Sequence, residues 1–112
     1  MRFIVVVLAS LAVLALAGCG AANEQQAIID ATSQYITTSP DSAVKKVTVE
    51  VQKVDGDFAR AYATPADGTT TDPVFVFLHR ENGAWQGVIF GTAFDSDTYQ
   101  QLGIPQSLWL SE

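Results

Sequence analysis

Residues 46–64 read KVTVEVQKVDGDFARAYAT, and their hydrophobic period is two. Val47, Val49 and Val51 alternate with Lys46, Thr48, Glu50 and Gln52, which predicts a strand with one buried and one wet face. Val54-Asp55-Gly56-Asp57 follows as a turn, with Asp-Gly as its hairpin chemistry. Phe58–Thr64 then predicts the return strand. On it Ala59, Ala61 and Ala63 point one way, and Phe58, Arg60 and Tyr62 the other. A row of alanines on a strand implies that a bulky element, the helix, lies close against that face.

Upstream of this hairpin the period is helical. Ile28, Ala31, Thr32, Tyr35 and Ile36 recur at three- and four-residue spacing, so Glu24–Thr38 predicts a helix with one apolar face. Asn23 is placed to cap it, with Gln26 three residues on, as in a capping box. Ser39-Pro40 ends it, because the residue before proline avoids the helical region. Downstream, Pro65–Pro73 is a polar loop of Gly, Thr, Asp and Pro. Val74–His79 is nearly continuously apolar, which predicts a central strand covered on both faces. Glu81-Asn82-Gly83 is a second hairpin turn, and Trp85–Phe90 the fourth strand. Gly87 and Gly91 in or beside that strand predict a bulge or a close backbone approach. Asp95 caps a short helix through Leu102, with Gly103 just past its end. Pro105 opens a last helical turn carrying Leu108, Trp109 and Leu110, which are expected to fold over an open end of the sheet.

The string therefore predicts an α+β domain, in which one N-terminal helix packs on a curled four-stranded antiparallel sheet and a short helical tail ends the chain. No internal repeat is present, and no linker divides the domain. The arrangement resembles the cystatin-like and nuclear-transport-factor-2-like α+β folds. The runs Gly56-Asp57-Phe58-Ala59, Asn82-Gly83-Ala84-Trp85 and Leu102-Gly103-Ile104-Pro105 resemble a group of small exported bacterial domains. That resemblance implies a fold and brings no activity with it.

The first residues carry an address. Arg2 gives a short positive segment, and Phe3–Ala17 is apolar apart from Ser10. Fifteen residues fall short of the roughly 20 that span a bilayer, so residues 1–18 read as a secretory signal rather than a membrane helix. They run into Leu16-Ala17-Gly18-Cys19, which resembles the lipobox of bacterial lipoproteins at all four positions. The resemblance implies cleavage between Gly18 and Cys19, acylation of Cys19, and a membrane anchor through that lipid. Residues 19–23 would then be a lipidated tether and 24–112 a single domain of the cell envelope, facing the periplasm or exterior. A lone unpaired cysteine in an exported chain otherwise fits an oxidising compartment poorly.

Composition narrows the function. The 112 residues hold six Lys/Arg and twelve Asp/Glu. Arg2 is the only charge before Cys19, leaving five against twelve, a net charge of −7. Phosphate neutralisation needs clustered cations, so nucleic acid is excluded as a partner. The single histidine, His79, stands beside Arg80 near a strand end, and no serine sits in a nucleophile-elbow motif. One histidine and no free cysteine are too few soft ligands for zinc. The carboxylate pairs Asp55/Asp57 and Asp95/Asp97 continue into no calcium-loop spacing. They suit a hairpin turn and a helix start, where negative charge meets the dipole. Phe75, Phe77, Trp85 and Phe90 read as core. No metal and no cofactor is expected.

These features point to a non-enzymatic, lipid-anchored domain acting in binding or assembly, with a protein partner in the envelope. Two alternatives remain. Gln52-Lys53-Val54-Asp55-Gly56 resembles the Gln-x-Val-x-Gly hairpin of cystatin protease inhibitors, and Trp85 follows the second hairpin where that family presents a Pro-Trp pair. This resemblance implies a cysteine-protease inhibitor with Gln52, Val54, Gly56 and Trp85 as its binding hairpins. The sequence departs from it in Ala84, which replaces the proline, and in Asp55, which charges the wedge. The other alternative is a small hydrolase using a pocket between helix and sheet.

Overall fold

The computed structural model describes residues 23–110. Residues 1–18, expected to be a secretory signal cleaved after Gly18, and Cys19, expected to be lipidated, therefore lie outside the described residues. Residues 23–38 form a helix, α1. Asn23, expected as its cap, is itself helical, and Gln26 donates to Asp30 one turn on, 2.9 Å away, instead of reaching back as a capping box would. Four strands follow: β1 Val47–Asp55, β2 Phe58–Pro65, β3 Val74–Glu81 and β4 Ala84–Gly91. A second helix, α2 (Ser96–Leu102), and a 3-10 turn at Gln106–Leu108 end the described chain. The architecture is the predicted α+β one, a helix on an open four-stranded antiparallel sheet with a short helical tail.

The strands lie in chain order, β1-β2-β3-β4, each antiparallel to the next. Both hairpins turn on two residues. The first turn centres on Gly56 and Asp57, one position beyond the expected Asp-Gly, because Asp55 pairs with Phe58. Gly56 takes φ +60 there, the positive value that a two-residue hairpin turn requires. In the second, Asn82 (φ 52) and Gly83 (φ 80) both lie in the left-handed region, as a type I′ turn demands.

The parity of the strands sorts the core into two layers. On one face Ala59, Ala61 and Ala63 are buried beneath Ile28, Thr32 and Ile36 of α1, with Val76, Leu78 and Trp85 beside them. The alanine row does what its pattern implied, since only a methyl stands between strand and helix. Thr32 is fully buried without a penalty because its hydroxyl donates to the Ile28 carbonyl, 2.7 Å away.

The opposite face is also covered. Phe58, Phe77 and Ile89 meet Tyr99, Ile104 and Leu108 there. The tail thus lies across the second face of the sheet and not over its open end, as the sequence reading had it. The reason is that β3 carries large apolar side chains of both parities. Phe77 is 0% exposed only because the tail covers it. Burying each such side chain contributes roughly 1.5–3 kcal/mol.

The tail is built to hold that position. Asp95 caps α2 by accepting from Thr98 N at 2.8 Å, and Gly103 closes it. Tyr99 and Trp109 stack with ring centroids 4.9 Å apart, and Tyr99 Oη accepts from Leu110 N. Trp109 Nε1 donates to the Ile104 carbonyl at 2.9 Å.

Candidate functional site

The two hairpin turns and the start of α1 share one end of the molecule, and Arg80 ties them together. Its backbone N–H donates to the Asp57 carbonyl at 2.7 Å, and its Nη2 and Nε donate to Asp57 Oδ1 at 2.8 and 3.1 Å. Its Nη1 reaches Glu24 of α1 at 3.3 Å. Its guanidinium lies 5.2 Å over the Trp85 ring. The Asp57 hydrogen bonds, with the Glu24 charge, raise the Arg80 pKa above its ordinary value.

The four hairpin residues singled out from the sequence do not converge. A bulge in β1 leaves Gln52 without a cross-strand partner and turns it, with Lys53, toward the tail. Gln52 Oε1 accepts from Arg60 Nε at 2.8 Å, and Lys53 Nζ donates to the Ser107 carbonyl at 3.1 Å. Arg60 Nη1 donates to the Leu108 carbonyl at 2.8 Å, and Ser107 Oγ donates to Asp55. Trp85 goes the other way, into the helix-side core at 9% exposure. Val54 stays out at 38%, beside the turn that Gly56 opens.

The remaining candidate groups are structural in placement. His79 stacks on Phe58 at 4.4 Å, with its Nδ1 3.3 Å from Glu81, on the tail side of the sheet. The carboxylates of Asp55 and Asp57 diverge, one to Ser107 and the other to Arg80. Asp95 caps α2, and its hydrogen bonds to the Thr98 side chain and backbone lower its pKa. Among the described residues no three His, Cys, Asp or Glu side chains group to hold a metal. No helix among them is long and apolar enough to cross a membrane.

A cavity of about 250 Å³ opens between α1 and the sheet at the end opposite the hairpins. Its floor is apolar: Ile36, Val44, Val47, Ala63, Val74 and Phe90. Its rim comes from the two polar connections, with Asp41 and Ser42 on one side and Thr71 and Asp72 on the other. The rim is fastened by Asp67, which accepts from Lys45 N at 2.7 Å and Thr69 N at 3.1 Å. Those backbone hydrogen bonds, Lys45 first, hold the Asp67 pKa below the usual carboxylate value. Behind the floor, Tyr35 meets Phe90 edge-on at 5.7 Å. Burial, then the Asp41 charge, raises the Tyr35 pKa.

A pocket between helix and sheet is expected from the sequence, but neither of its carboxylates is legible there. Asp41 and Asp72 sit in separate loops, and no spacing relates them until β1 and β2 bring the loops together. The only available signal was the polar loop Pro65–Pro73 itself. His79 lies on the other face of the sheet from this cavity. A larger cavity, about 550 Å³, lies between Arg60, Phe75 and Trp109. Its cations are bound to tail carbonyls, and Leu110, the last described residue, forms part of its wall. Comparison with known proteins finds no matching family model, no matching curated protein and no matching solved structure.

Proposed function

We propose that this protein is a lipid-anchored, non-catalytic domain of the bacterial cell envelope, acting in binding or assembly. The observation that carries the proposal is Leu16-Ala17-Gly18-Cys19 at the end of the apolar segment that begins at Phe3. A diacylated cysteine adds about 0.8 kcal/mol per buried CH₂, enough over two chains for stable attachment. The apolar cavity between α1 and the sheet supports a binding role, since its floor offers burial to a small apolar group.

The test is the intact mass of membrane-extracted protein, wild type and Cys19→Ser. Wild-type protein beginning at Cys19 and carrying acyl mass, with that mass absent from the variant, is the expected result. Protein that keeps residues 1–18, or lacks lipid, refutes the anchor.

A second reading, a cystatin-type inhibitor, is favoured by one observation: both hairpin turns and the start of α1 share one end. Against it, Trp85 is buried, and Gln52, Lys53 and Asp55 are engaged with Arg60 or the tail. Titration of papain with this protein separates the two. Absence of inhibition at micromolar concentration supports the binding role, and stoichiometric inhibition overturns it.

A further inference from the structure

We propose that the hairpin end of the domain rests against the phospholipid headgroup surface, and that the mouth of the helix–sheet cavity faces away from it into the aqueous space. The proposal rests on the anchoring of Cys19 and goes beyond it by assigning an orientation and a membrane-facing surface.

Three observations converge. The first is reach: Cys19 stands four residues before Asn23, the first residue described as helical. Four residues span at most about 14 Å even when fully extended. The start of α1 is therefore held within that distance of an acylated cysteine. The second is the Arg80 junction. Its bonds to Glu24 and Asp57 place the start of α1 beside the turn of the first hairpin. Whatever tethers the helix start draws both hairpin turns toward the bilayer with it. The third is apolar exposure. Among the described residues, Val54 alone is a large hydrophobic side chain left exposed, and it lies on this end. An apolar side chain that water leaves unsatisfied in a free domain gains burial among headgroups and upper acyl chains.

The cavity lies at the far end by the same geometry. The sixteen helical residues 23–38 run about 24 Å at 1.5 Å per residue. The strands, eight or nine residues each, cover a similar length of about 25 Å. Ile36 and Val47, at the distal ends of α1 and the sheet, line the cavity, so its mouth opens that far from the hairpin turns. A ligand reaches it from the aqueous side. A protease cleft could not reach Gln52–Gly56 without displacing lipid, which sets this orientation against the inhibitor reading.

The experiment uses the full chain, acylated in a bacterial host and reconstituted into phosphatidylcholine vesicles containing a nitroxide-headgroup lipid. Single cysteines are placed at exposed positions: Val54→Cys and Ala84→Cys at the hairpin end, Thr70→Cys and Asp72→Cys at the cavity end. Each is labelled with a small fluorophore. Quenching several-fold stronger at 54 and 84 than at 70 and 72 is expected. Equal or reversed quenching in acylated, vesicle-bound protein overturns the orientation while leaving the anchor standing. Protein with no acyl mass that stays in the supernatant overturns both.

Discussion

Replacing Gly87 with alanine tests how α1 sits on the sheet. A Cβ built on Gly87 falls against Cγ, Cδ1 and Cδ2 of Tyr35, closer than real Cβ atoms approach any neighbour. The Tyr35 ring has to move, and its edge contact with Phe90 resists that movement. Overpacking of this kind costs about 1–3 kcal/mol. Losing the aromatic pair adds about 0.5–1.5 kcal/mol. Relief of the glycine's conformational entropy in a strand offsets roughly 0.5–1 kcal/mol. The net expectation is a loss of about 2 kcal/mol, which for a domain of this size lowers Tm by roughly 8–16 °C. The assay is thermal unfolding followed by circular dichroism, run as a cycle with Tyr35→Ala. In the Tyr35→Ala background the same Gly87→Ala change should be neutral or slightly stabilising, because the ring it strikes is gone. An unchanged Tm in the wild-type background, or an equal loss in both, would refute the argument.

Leu108→Ala should destabilise by about 2–5 kcal/mol, since Leu108 is fully buried between the tail and the sheet. It should also weaken the near-ultraviolet signal of the Tyr99–Trp109 stack, and a preserved signal with native stability would show that the tail is not anchored through Leu108. Ala61→Leu should cost about 1–3 kcal/mol in urea unfolding, because the new side chain has to lift α1 from the sheet. Asp67 and Asp95 have lowered folded pKa values, so the stability they contribute is present above the unfolded carboxylate value near 4 and is lost as pH falls through the folded values. Asp95→Asn keeps a capping oxygen and should flatten that acid-side loss, as urea midpoints across a pH series will show. Tyr35 has the opposite sign. Its pKa is raised, so its contribution is full below about pH 10 and lost as pH rises through the folded value, and Tyr35→Phe should remove that alkaline loss.

Local pattern was enough for the elements. Period-two alternation across Val47–Val51 and Ala59–Ala63 set strands and faces, because a side chain's side of a strand depends only on its parity. Asp95 and Gly103 marked both ends of α2 correctly, because capping is a matter of adjacent backbone groups. The run Leu16-Ala17-Gly18-Cys19, which resembles a lipobox, is likewise contiguous and readable without any fold. Beyond that range the pattern gave out. The first turn slid by one residue, from Asp-Gly to Gly-Asp, because cross-strand pairing of Asp55 with Phe58 chose the register. Gln52 turned to the tail through a bulge that no local preference announced. Leu108 and Trp109 went to the second face of the sheet, because Phe58, Phe77 and Ile89 present an apolar surface there only once three strands are aligned. Asp41 and Asp72 meet at one cavity rim for the same reason. Proximity across loops is a property of the assembled sheet, and hydrophobic burial, which is non-directional, assigns it only when all the covering elements are in place.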